Sequence, residues 1–444
     1  MLYRLLKFAL TYAIKKYFVD IKIVNEGNIP LDKPVILLPN HRSAFMDPIV
    51  IATQLKRTTY FLVRGESFTN KYAITVFNWL KMIPIYRKEY DPDKVGQNKD
   101  IFKYCHRLME KQGCLMIFPE GVCQTKYLLA PIKTGAARIA LGAEDENDFE
   151  LDIHLVPIGL NYSNPHRFRG NLTIDVGNPM TLRSYKDEYR KDPIDAVKNL
   201  TAEIETQLKD RIITVEDQGE IRIVEQIEGI LYSTSQEHSL ANVDWLTKRK
   251  RLKDFVQKYN KQDPEGFKVF KATLNRFVGS LKRLGISNEV AIIEKTAKDA
   301  RLAIVKKIFI AIFGLPIFII GFILHIIPFQ LTRILSLTLV KRVDFMGSVA
   351  LVLGLLLFTI FGGLETYLVY HFAQNVYITI LFFILLPSFG VLAYGYLSNV
   401  VKLKEVFRWF TVIENRKTIK TQLINDWKEI VQTLRNEEAS TTDS

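Results

Sequence analysis

Two hydrophobic patterns divide the chain. Residues 20–185 alternate short apolar runs with stretches of helical period, whereas residues 301–400 contain long, almost uninterrupted apolar stretches. The first pattern is typical of an α/β fold, in which helices flank a mixed sheet. Its predicted strands are PVILLP, TYFLVR, MIPIYR, CLMIFP, HLVPIGLNY and LTIDVGNP, and residues 93–111 are a predicted helix.

A helical region separates these two parts. Between residues 186 and 300 glycine and proline become scarce, charges are dense, and apolar residues recur with the helical period. We therefore expect a helical insert or linker domain. Its basic run TKRKRLK, residues 247–253, is usually a solvated helix face and occasionally a nucleic-acid patch. Beside membrane segments, attraction to anionic lipid is the better functional interpretation.

The apolar region contains three segments, 308–327, 348–369 and 376–397. Each is near the ~20 residues that a helix needs to cross the hydrocarbon layer. Lys and Arg flank these segments everywhere except between the second and third. Because three crossings would place basic clusters on both sides of the membrane, we predict that segment 308–327, broken by Pro316, is re-entrant or interfacial. The other two then form a transmembrane hairpin; three full crossings are the alternative.

Both ends of the chain are predicted to be helical. Residues 1–19 combine apolar positions at helical spacing with basic residues, so they form an amphipathic helix. This helix either lies at an anionic bilayer surface or packs on its own domain. Basic residues interrupt the run and a small-residue cleavage site is lacking, so no cleavable signal peptide is expected. Residues 401–444 are predicted as a charged helix with a disordered end, NEEASTTDS.

Charge and cysteine content narrow the function classes. The 444 residues carry a formal net charge of +13, which suits an anionic partner such as a membrane surface, a phosphorylated substrate or nucleic acid. The three cysteines, Cys105, Cys114 and Cys123, are an odd number in a long chain. That argues against a disulfide framework and for a reducing compartment. Their spacing also argues against a metal site.

Polar motifs follow two of the predicted strands. NHRSAFMD places His41 and Asp47 directly after PVILLP, and MIPIYR ends in Arg87. An imidazole and a carboxylate here can be a catalytic base and the acid that orients it. Taken alone, each motif has a simpler explanation: Asn, Ser, Asp and Pro are common in turns, and an arginine at a strand end is usually a surface charge.

Two further motifs suggest an anion site. In FPEG, Pro and Gly force a tight turn that presents Glu120 and Gly121 at the end of a buried strand, where open α/β sheets hold ligands. In APIKTG, Lys133 stands at the start of a small-residue helix whose amide N–H groups can hold a phosphate. The alternative is a tightly packed Ala/Gly helix with an exposed lysine.

The order of these motifs resembles a known family. NHRSAFMD, IPIYR, FPEG and VPIGLNY look like the four blocks of the glycerolipid acyltransferases, the superfamily of 1-acylglycerol-3-phosphate and glycerol-3-phosphate acyltransferases. The resemblance covers about residues 30–180. Five residues separate His41 from Asp47, where the commonest family pattern has four. That spacing is similar to a branch that includes fungal enzymes acting on glycerol 3-phosphate or dihydroxyacetone phosphate. A second departure is Val122, Cys123 and Gln124, where many relatives carry Thr or Ser and Arg.

The resemblance implies a division of roles. His41 would be the general base and Asp47 its partner. Among the substrate-binding residues, Arg87 would clamp the acceptor's phosphate, assisted by Lys133, while Glu120 and Gly121 would shape the pocket. The acyl donor would be acyl-CoA or acyl-carrier protein, with no bound cofactor and no metal.

Several functions follow from these roles. The leading hypothesis is a membrane-bound acyltransferase of phospholipid biosynthesis. It would act on the hydroxyl of 1-acylglycerol 3-phosphate, with its catalytic domain on the cytoplasmic face. Glycerol 3-phosphate and dihydroxyacetone phosphate are alternative acceptors. A non-catalytic membrane lipid-binding protein is an alternative of another class, and the membrane hairpin disfavours a nucleic-acid binder.

Overall fold

The computed structural model describes residues 2–67, 71–87, 89, 91–166, 168–215, 217–233, 244–286, 297–410 and 415–442. They form two compact units. The first comprises Met1–Glu216 and Arg333–Leu355, and the second comprises Asp217–Thr332 and Leu356–Ser444.

The first unit contains an eight-stranded mixed sheet. Its order is β1-β7-β6-β2-β5-β3-β4, with β8 beside β6. Neighbouring strands are parallel, except that β6 is antiparallel to β7 and β8. The strands are β1 (Asp20–Val24), β2 (Val35–Pro39), β3 (Tyr60–Arg64), β4 (Met82–Ile85), β5 (Cys114–Met116), β6 (His154–Tyr162), β7 (Asn171–Val176) and β8 (Met180–Thr181).

The prediction of an α/β fold with a mixed sheet is confirmed. Each predicted strand is present, and the central strands β2 and β6 are buried almost throughout. That burial explains their uninterrupted apolar sequences, because a strand covered on both faces has no polar side. The sequence pattern did not predict β1 and β8. β1 is an edge strand with mixed polarity, and β8 contains only two residues.

Helices cover both faces of this sheet. One core joins the sheet to α4, α5 and α7, and the other joins it to α1 and α2. The helices of the unit are α1 (Leu2–Tyr17), α2 (Met46–Gln54), α3 (Lys71–Trp79), α4 (Asn98–Glu110), α5 (Gly135–Asp145), α6 (Lys186–Lys191) and α7 (Pro193–Arg211).

Helix α7 corrects the predicted domain boundary. Residues 186–211 were assigned to a separate helical insert, yet Ala196, Leu200 and Ile204 of α7 lie in the core beside α5 and the sheet. The amino-acid composition of α7 resembles that of the helices that follow it in the chain. Its apolar stripe, however, is buried against the α/β domain. The boundary at 185 is therefore wrong, since the first unit continues to Glu216.

The amino-terminal helix has two different faces. Ile14 and the adjoining Phe18 are fully buried in the core, whereas Phe8 is 72% exposed. The inner face of α1 therefore packs on its own domain, which is one of the two predicted arrangements. The outer face keeps exposed apolar residues, and its placement at a bilayer surface stays a prediction.

The second unit contains helices α8 (Gln218–Ser233), α9 (Trp245–Gln262), α10 (Pro264–Arg283) and α14 (Lys417–Thr442). The basic run of residues 247–253 lies on α9. Its Arg249 side chain is only 1% exposed, and its guanidinium lies 2.7 Å from Glu225 of α8. The run is therefore not a uniformly solvated helix face. The Glu225 carboxylate offsets the cost of burying the charged Arg249 side chain.

Within the part of the chain that the structure describes, three helices are long and apolar enough to cross a membrane: α11 (Ala297–Leu339), α12 (Val343–Ala373) and α13 (Val376–Arg408). The prediction that Pro316 breaks the first of them is wrong, because Pro316 and Pro328 both lie inside α11. Neighbouring turns of a long helix can compensate for the hydrogen bond that proline removes.

Contacts inside the second unit define how these helices run. The carbonyl oxygen of Lys307 accepts a hydrogen bond from Asn399, and further along α11 Gly321 packs on the Phe389 carbonyl. Helix α11 is thus antiparallel to α13. Three residues separate the end of α11 from the start of α12, and the ring of His325 lies near that of Phe358, with centroids 5.7 Å apart.

A short connection and the Gly362–Leu386 contact make α12 and α13 antiparallel as well. Helix α11 is continuous from Ala297 to Leu339, so the chain keeps one direction along it. The re-entrant or interfacial placement of segment 308–327 stays a prediction.

Helix α14 extends further than predicted. It continues through Thr442 and so includes most of the segment NEEASTTDS that was predicted to be disordered. The Glu-Glu-Ala sequence in this segment favours helix, and a helix already formed adds such residues at little cost.

Candidate active site

The predicted His–Asp pair lies at the carboxyl end of the central strand β2. His41 Nδ1 and Asp47 Oδ2 are 2.8 Å apart, and the Asp47 side chain is fully buried. Because a carboxylate only accepts hydrogen bonds, Nδ1 carries the proton and Nε2 is left as the acceptor. About 17% of the His41 side chain is exposed. The ring is therefore oriented by Asp47 and still reachable from outside.

Asparagine 40 anchors the loop that carries His41. Its side-chain oxygen accepts a hydrogen bond of 2.6 Å from the backbone N–H of Leu160, and its amide donates to the Leu160 carbonyl at 3.3 Å. Strand β6 thereby holds the end of β2 in place. The His41 ring also stacks on Phe118 at the end of β5, with centroids 4.1 Å apart. Three adjacent strands thus define the position of the imidazole.

Asp47 lies in the first turn of α2 and is satisfied on both oxygens. Besides His41, Oδ2 accepts hydrogen bonds of 2.8 Å from the backbone N–H groups of Arg42 and Ser43. Oδ1 accepts one of 2.7 Å from the Tyr162 hydroxyl. Burial, followed by the Asp47 charge, holds the pKa of Tyr162 well above its usual range, so this hydroxyl stays protonated. The five-residue spacing is accommodated by the turn before α2, and the pair still meets.

Glu120 plays a structural part in this arrangement. Its two oxygens accept hydrogen bonds from the backbone N–H groups of His41, at 2.7 Å, and Ala130, at 2.9 Å. Burial raises the pKa of the Glu120 carboxyl, and these two donors oppose that rise. The side chain is only 2% exposed. Glu120 thus positions the loop that carries His41, and its predicted part in shaping the substrate pocket stays a prediction.

The other predicted anion-binding residues lie together at the FPEG turn. Gly121 adopts φ +65°, a left-handed conformation that suits glycine. Its carbonyl accepts a 2.8 Å hydrogen bond from the Arg87 guanidinium, which also lies 3.7 Å from Glu66. A Cβ added at Gly121 would lie 3.5 Å from the side chain of Lys133, which is exposed. Two cations thus flank one turn, next to the loop that carries His41.

Tyr162, Asn40 and Phe118 complete the site and were not assigned roles from the sequence. Asn40 and Phe118 stand inside the motifs already singled out, next to His41 and Glu120. Tyr162 ends the buried strand β6, and its role depends on β6 lying beside β2. The sequence pattern does not show that β6 and β2 are neighbouring strands, so it could not assign a role to Tyr162.

The fold places an oriented imidazole and a buried carboxylate at the end of a central strand of an α/β sheet, and comparisons with known proteins show what this region is similar to. Residues 20–161 match the family model described as Acyltransferase. The chain is 33% identical over 135 residues to glycerol-3-phosphate O-acyltransferase 1 of Saccharomyces cerevisiae, covering 29% of this chain and 18% of that protein. It is 32% identical over 112 residues to glycerol-3-phosphate O-acyltransferase 2 of the same yeast, covering 25% and 15%. The chain thus spans less than a fifth of the length of these relatives.

A solved structure was also found, the 1-acyl-sn-glycerophosphate acyltransferase PlsC of Thermotoga maritima. It has 17% sequence identity and a TM-score of 0.31, covering 45% of this chain and 77% of that one. The family match and the curated relatives, taken with the four motifs, support the glycerolipid acyltransferase superfamily for residues 20–161.

Proposed function

We propose that the chain is a membrane-bound O-acyltransferase that moves a fatty acyl group from a thioester to a hydroxyl of a phosphorylated glycerol acceptor. The observation that carries this proposal is the His41–Asp47 pair, 2.8 Å apart, with the acid buried and the imidazole partly exposed. A merely structural histidine has no need of an edge open to solvent. The family of residues 20–161 supports the same reaction.

The chemistry follows from the orientation of the ring. An acceptor hydroxyl gives its proton to His41 Nε2 as its oxygen attacks the thioester carbonyl carbon. Asp47 holds the other ring nitrogen and stabilises the imidazolium that forms, as the acid does in a serine hydrolase triad. When the tetrahedral intermediate collapses, the C–S bond breaks and the departing sulfur takes the proton from His41. The donor is acyl-CoA or acyl-carrier protein, and the protein needs no nucleophile of its own.

Charge at the FPEG turn supports a phosphorylated acceptor. Arg87 and Lys133 both lie beside Gly121, one residue from the Glu120 side chain that holds the His41 backbone. A phosphate bound between these cations would lie near the catalytic loop, because Arg and Lys are the usual phosphate donors. In this proposal Arg87 exchanges part of its contact with the Gly121 carbonyl for the phosphate.

The acceptor has two main candidates. The sequence prediction favours 1-acylglycerol 3-phosphate, with glycerol 3-phosphate and dihydroxyacetone phosphate as alternatives. Similarity to two yeast proteins named glycerol-3-phosphate O-acyltransferases favours glycerol 3-phosphate as the second candidate. Both candidates present a phosphate and a free hydroxyl on one glycerol backbone, which is what the proposed site requires.

The proposed orientation places the catalytic domain on the cytoplasmic face. If segment 308–327 is re-entrant or interfacial, then only α12 and α13 cross the bilayer. The basic clusters at the two ends of α11 and at the end of α13 then share one side. The positive-inside rule makes that side cytoplasmic. Only the connection at Gln374 and Asn375 lies on the other side.

The decisive assay uses the full chain in lipid vesicles with each acceptor and both donors. His41→Ala should lower kcat by roughly 10²–10⁴-fold, the contribution typical of general-base catalysis. His106→Ala is the matched control, because His106 is paired with Glu146 on the far side of α4 and α5. Transfer by the His41→Ala variant at the wild-type rate would show that the chain is not this kind of enzyme.

The phosphate contact is tested by Arg87→Ala. We expect KM for the phosphorylated acceptor to rise roughly 10- to 100-fold, as befits the loss of a charge-assisted hydrogen bond of ~1.5–3 kcal/mol. KM for a phosphate-free monoacylglycerol should stay the same. The exposed Arg183, which pairs with Glu150, provides the control variant Arg183→Ala. Equal losses with and without the acceptor phosphate would contradict the role of Arg87.

A further inference from the structure

A segment far from the acyltransferase region packs against the candidate active site. Arg333–Leu355 covers the end of α11 and the start of α12, and it belongs to the same compact unit as the sheet. Ser348 is fully buried, and Leu351 lies in the core formed by α1, α2 and the sheet. The family match ends at residue 161, so this segment is an addition to the acyltransferase domain.

Asp344 is the point of closest approach. Its backbone carbonyl accepts a 3.4 Å hydrogen bond from the Ser43 hydroxyl, and its neighbour Phe345 packs edge-on against Phe45, with centroids 5.3 Å apart. The Asp344 carboxylate is 8% exposed and accepts two hydrogen bonds from Arg342, the shorter of 2.7 Å. It also accepts the thiol hydrogen bond of Cys123.

These contacts reach His41 from two directions. On one side, Ser43 also donates its backbone N–H to Asp47, the acid that orients His41. On the other side, Cys123 precedes Gln124, whose backbone N–H donates to the His41 carbonyl at 2.8 Å. The two loops that frame the imidazole are therefore joined through Asp344.

We propose that Asp344 is a positioning residue of the active site, and that the junction between the first two apolar helices, residues 340–348, completes that site. The proposal rests on the proposed function of His41. It means that the acyltransferase region needs the membrane region for its catalytic geometry as well as for its attachment. Small displacements matter here, because a misplacement of about 1 Å in an active site can cost roughly 100-fold in rate.

Glycine 347 provides an independent test of the same junction. A Cβ at this position would overlap the Pro165 carbonyl oxygen and lie 3.2 Å from the Tyr17 hydroxyl. An alanine at position 347 therefore pushes the junction away from the domain and adds no charge to the junction. Gly363 lies on the same helix, and a Cβ added there meets nothing within 4 Å.

The experiment compares full-length variants in vesicles, with kcat expressed per folded molecule. Asp344→Ala and Gly347→Ala should each lower kcat about 10- to 100-fold while KM for either substrate changes less than about threefold. Asp344→Asn keeps an acceptor oxygen and should recover most of the rate. The controls Asp32→Ala, at an exposed loop position, and Gly363→Ala should stay within about twofold of wild type.

A second readout does not depend on enzymatic activity. The rate at which iodoacetamide alkylates Cys123, followed by peptide mass spectrometry, should rise in Asp344→Ala. Burial, then the Asp47 and Asp344 charges, raise the pKa of this thiol, so removing Asp344 favours the reactive thiolate. The buried Cys105 and Cys114 are internal references.

The outcomes separate the two proposals. A wild-type kcat in Asp344→Ala or Gly347→Ala, or an unchanged Cys123 alkylation rate in Asp344→Ala, overturns the role of Asp344. A loss of activity that disappears when kcat is expressed per folded molecule also overturns it. If instead the wild-type chain shows no transfer that depends on His41, it is the proposed function that fails, while Cys123 alkylation still reports on the junction.

Discussion

At the scale of single residues, the site is organised around a buried carboxylate. Asp47 accepts four hydrogen bonds, from His41, Arg42, Ser43 and Tyr162. This number of donors is what allows an ionised acid to remain in the interior, because an unpaired buried charge is very costly. The same network fixes the direction of the one bond that matters for chemistry, the bond to the imidazole.

Replacement of Tyr162 tests this network. Tyr162→Phe removes one charge-assisted hydrogen bond from Asp47, and we expect kcat to fall about 10-fold with a loss of ~1.5–3 kcal/mol in stability. Acyl transfer and thermal unfolding in detergent provide the measurements. Tyr185→Phe is the matched control, since the Tyr185 hydroxyl donates to Glu203 on an exposed surface. If the two substitutions had equal effects, Tyr162 would have no specific role in the active site.

At the scale of elements, helix α7 shows that the surface on which an amphipathic helix packs decides the domain to which it belongs. Leu200 is fully buried in the core beside α5 and the sheet, whereas Ile194, at the start of the same helix, is 69% exposed. Sequence periodicity identified a helix here but could not say which surface it covers. Much of the sheet face that α7 buries, such as Leu155 of β6 and Ile36 of β2, lies more than thirty positions earlier in the chain.

A pair of substitutions on α7 measures this packing. Leu200→Ala should destabilise the first unit by ~2–5 kcal/mol, as large-to-small substitutions in a core do. Ile194→Ala should change the stability by less than ~0.5 kcal/mol, because its side chain is already in solvent. Limited proteolysis and thermal unfolding of the full chain report both values. If the Leu200 variant unfolds like wild type, then α7 does not belong to this core.

At the scale of the whole molecule, the main question is how many times the chain crosses the bilayer. By length and apolar composition alone, α11, α12 and α13 are each able to cross. The distribution of Lys and Arg along the sequence instead favours two crossings, with segment 308–327 re-entrant or interfacial.

Labelling in sealed vesicles tests this path. Single cysteines at Lys306, Lys341 and Gln374, all exposed positions, are treated with a membrane-impermeant thiol reagent, and the labelled peptides are identified by mass spectrometry. Lys306→Cys and Lys341→Cys should react from the same side and Gln374→Cys from the opposite side. Reaction of positions 306 and 341 from opposite sides would instead establish three crossings.

The sequence by itself determined the α/β class, six of the eight strands of the sheet, the three apolar helices and the His41–Asp47 pair. Strand and helix periods are local properties, and motif order survives without coordinates. Only the tertiary structure decided what Glu120 does, because its two backbone partners lie 79 and 10 residues away along the chain. The same holds for Tyr162, for α7 and for Asp344. Each acquires its role from a surface that distant residues supply, and a local pattern carries no information about that surface.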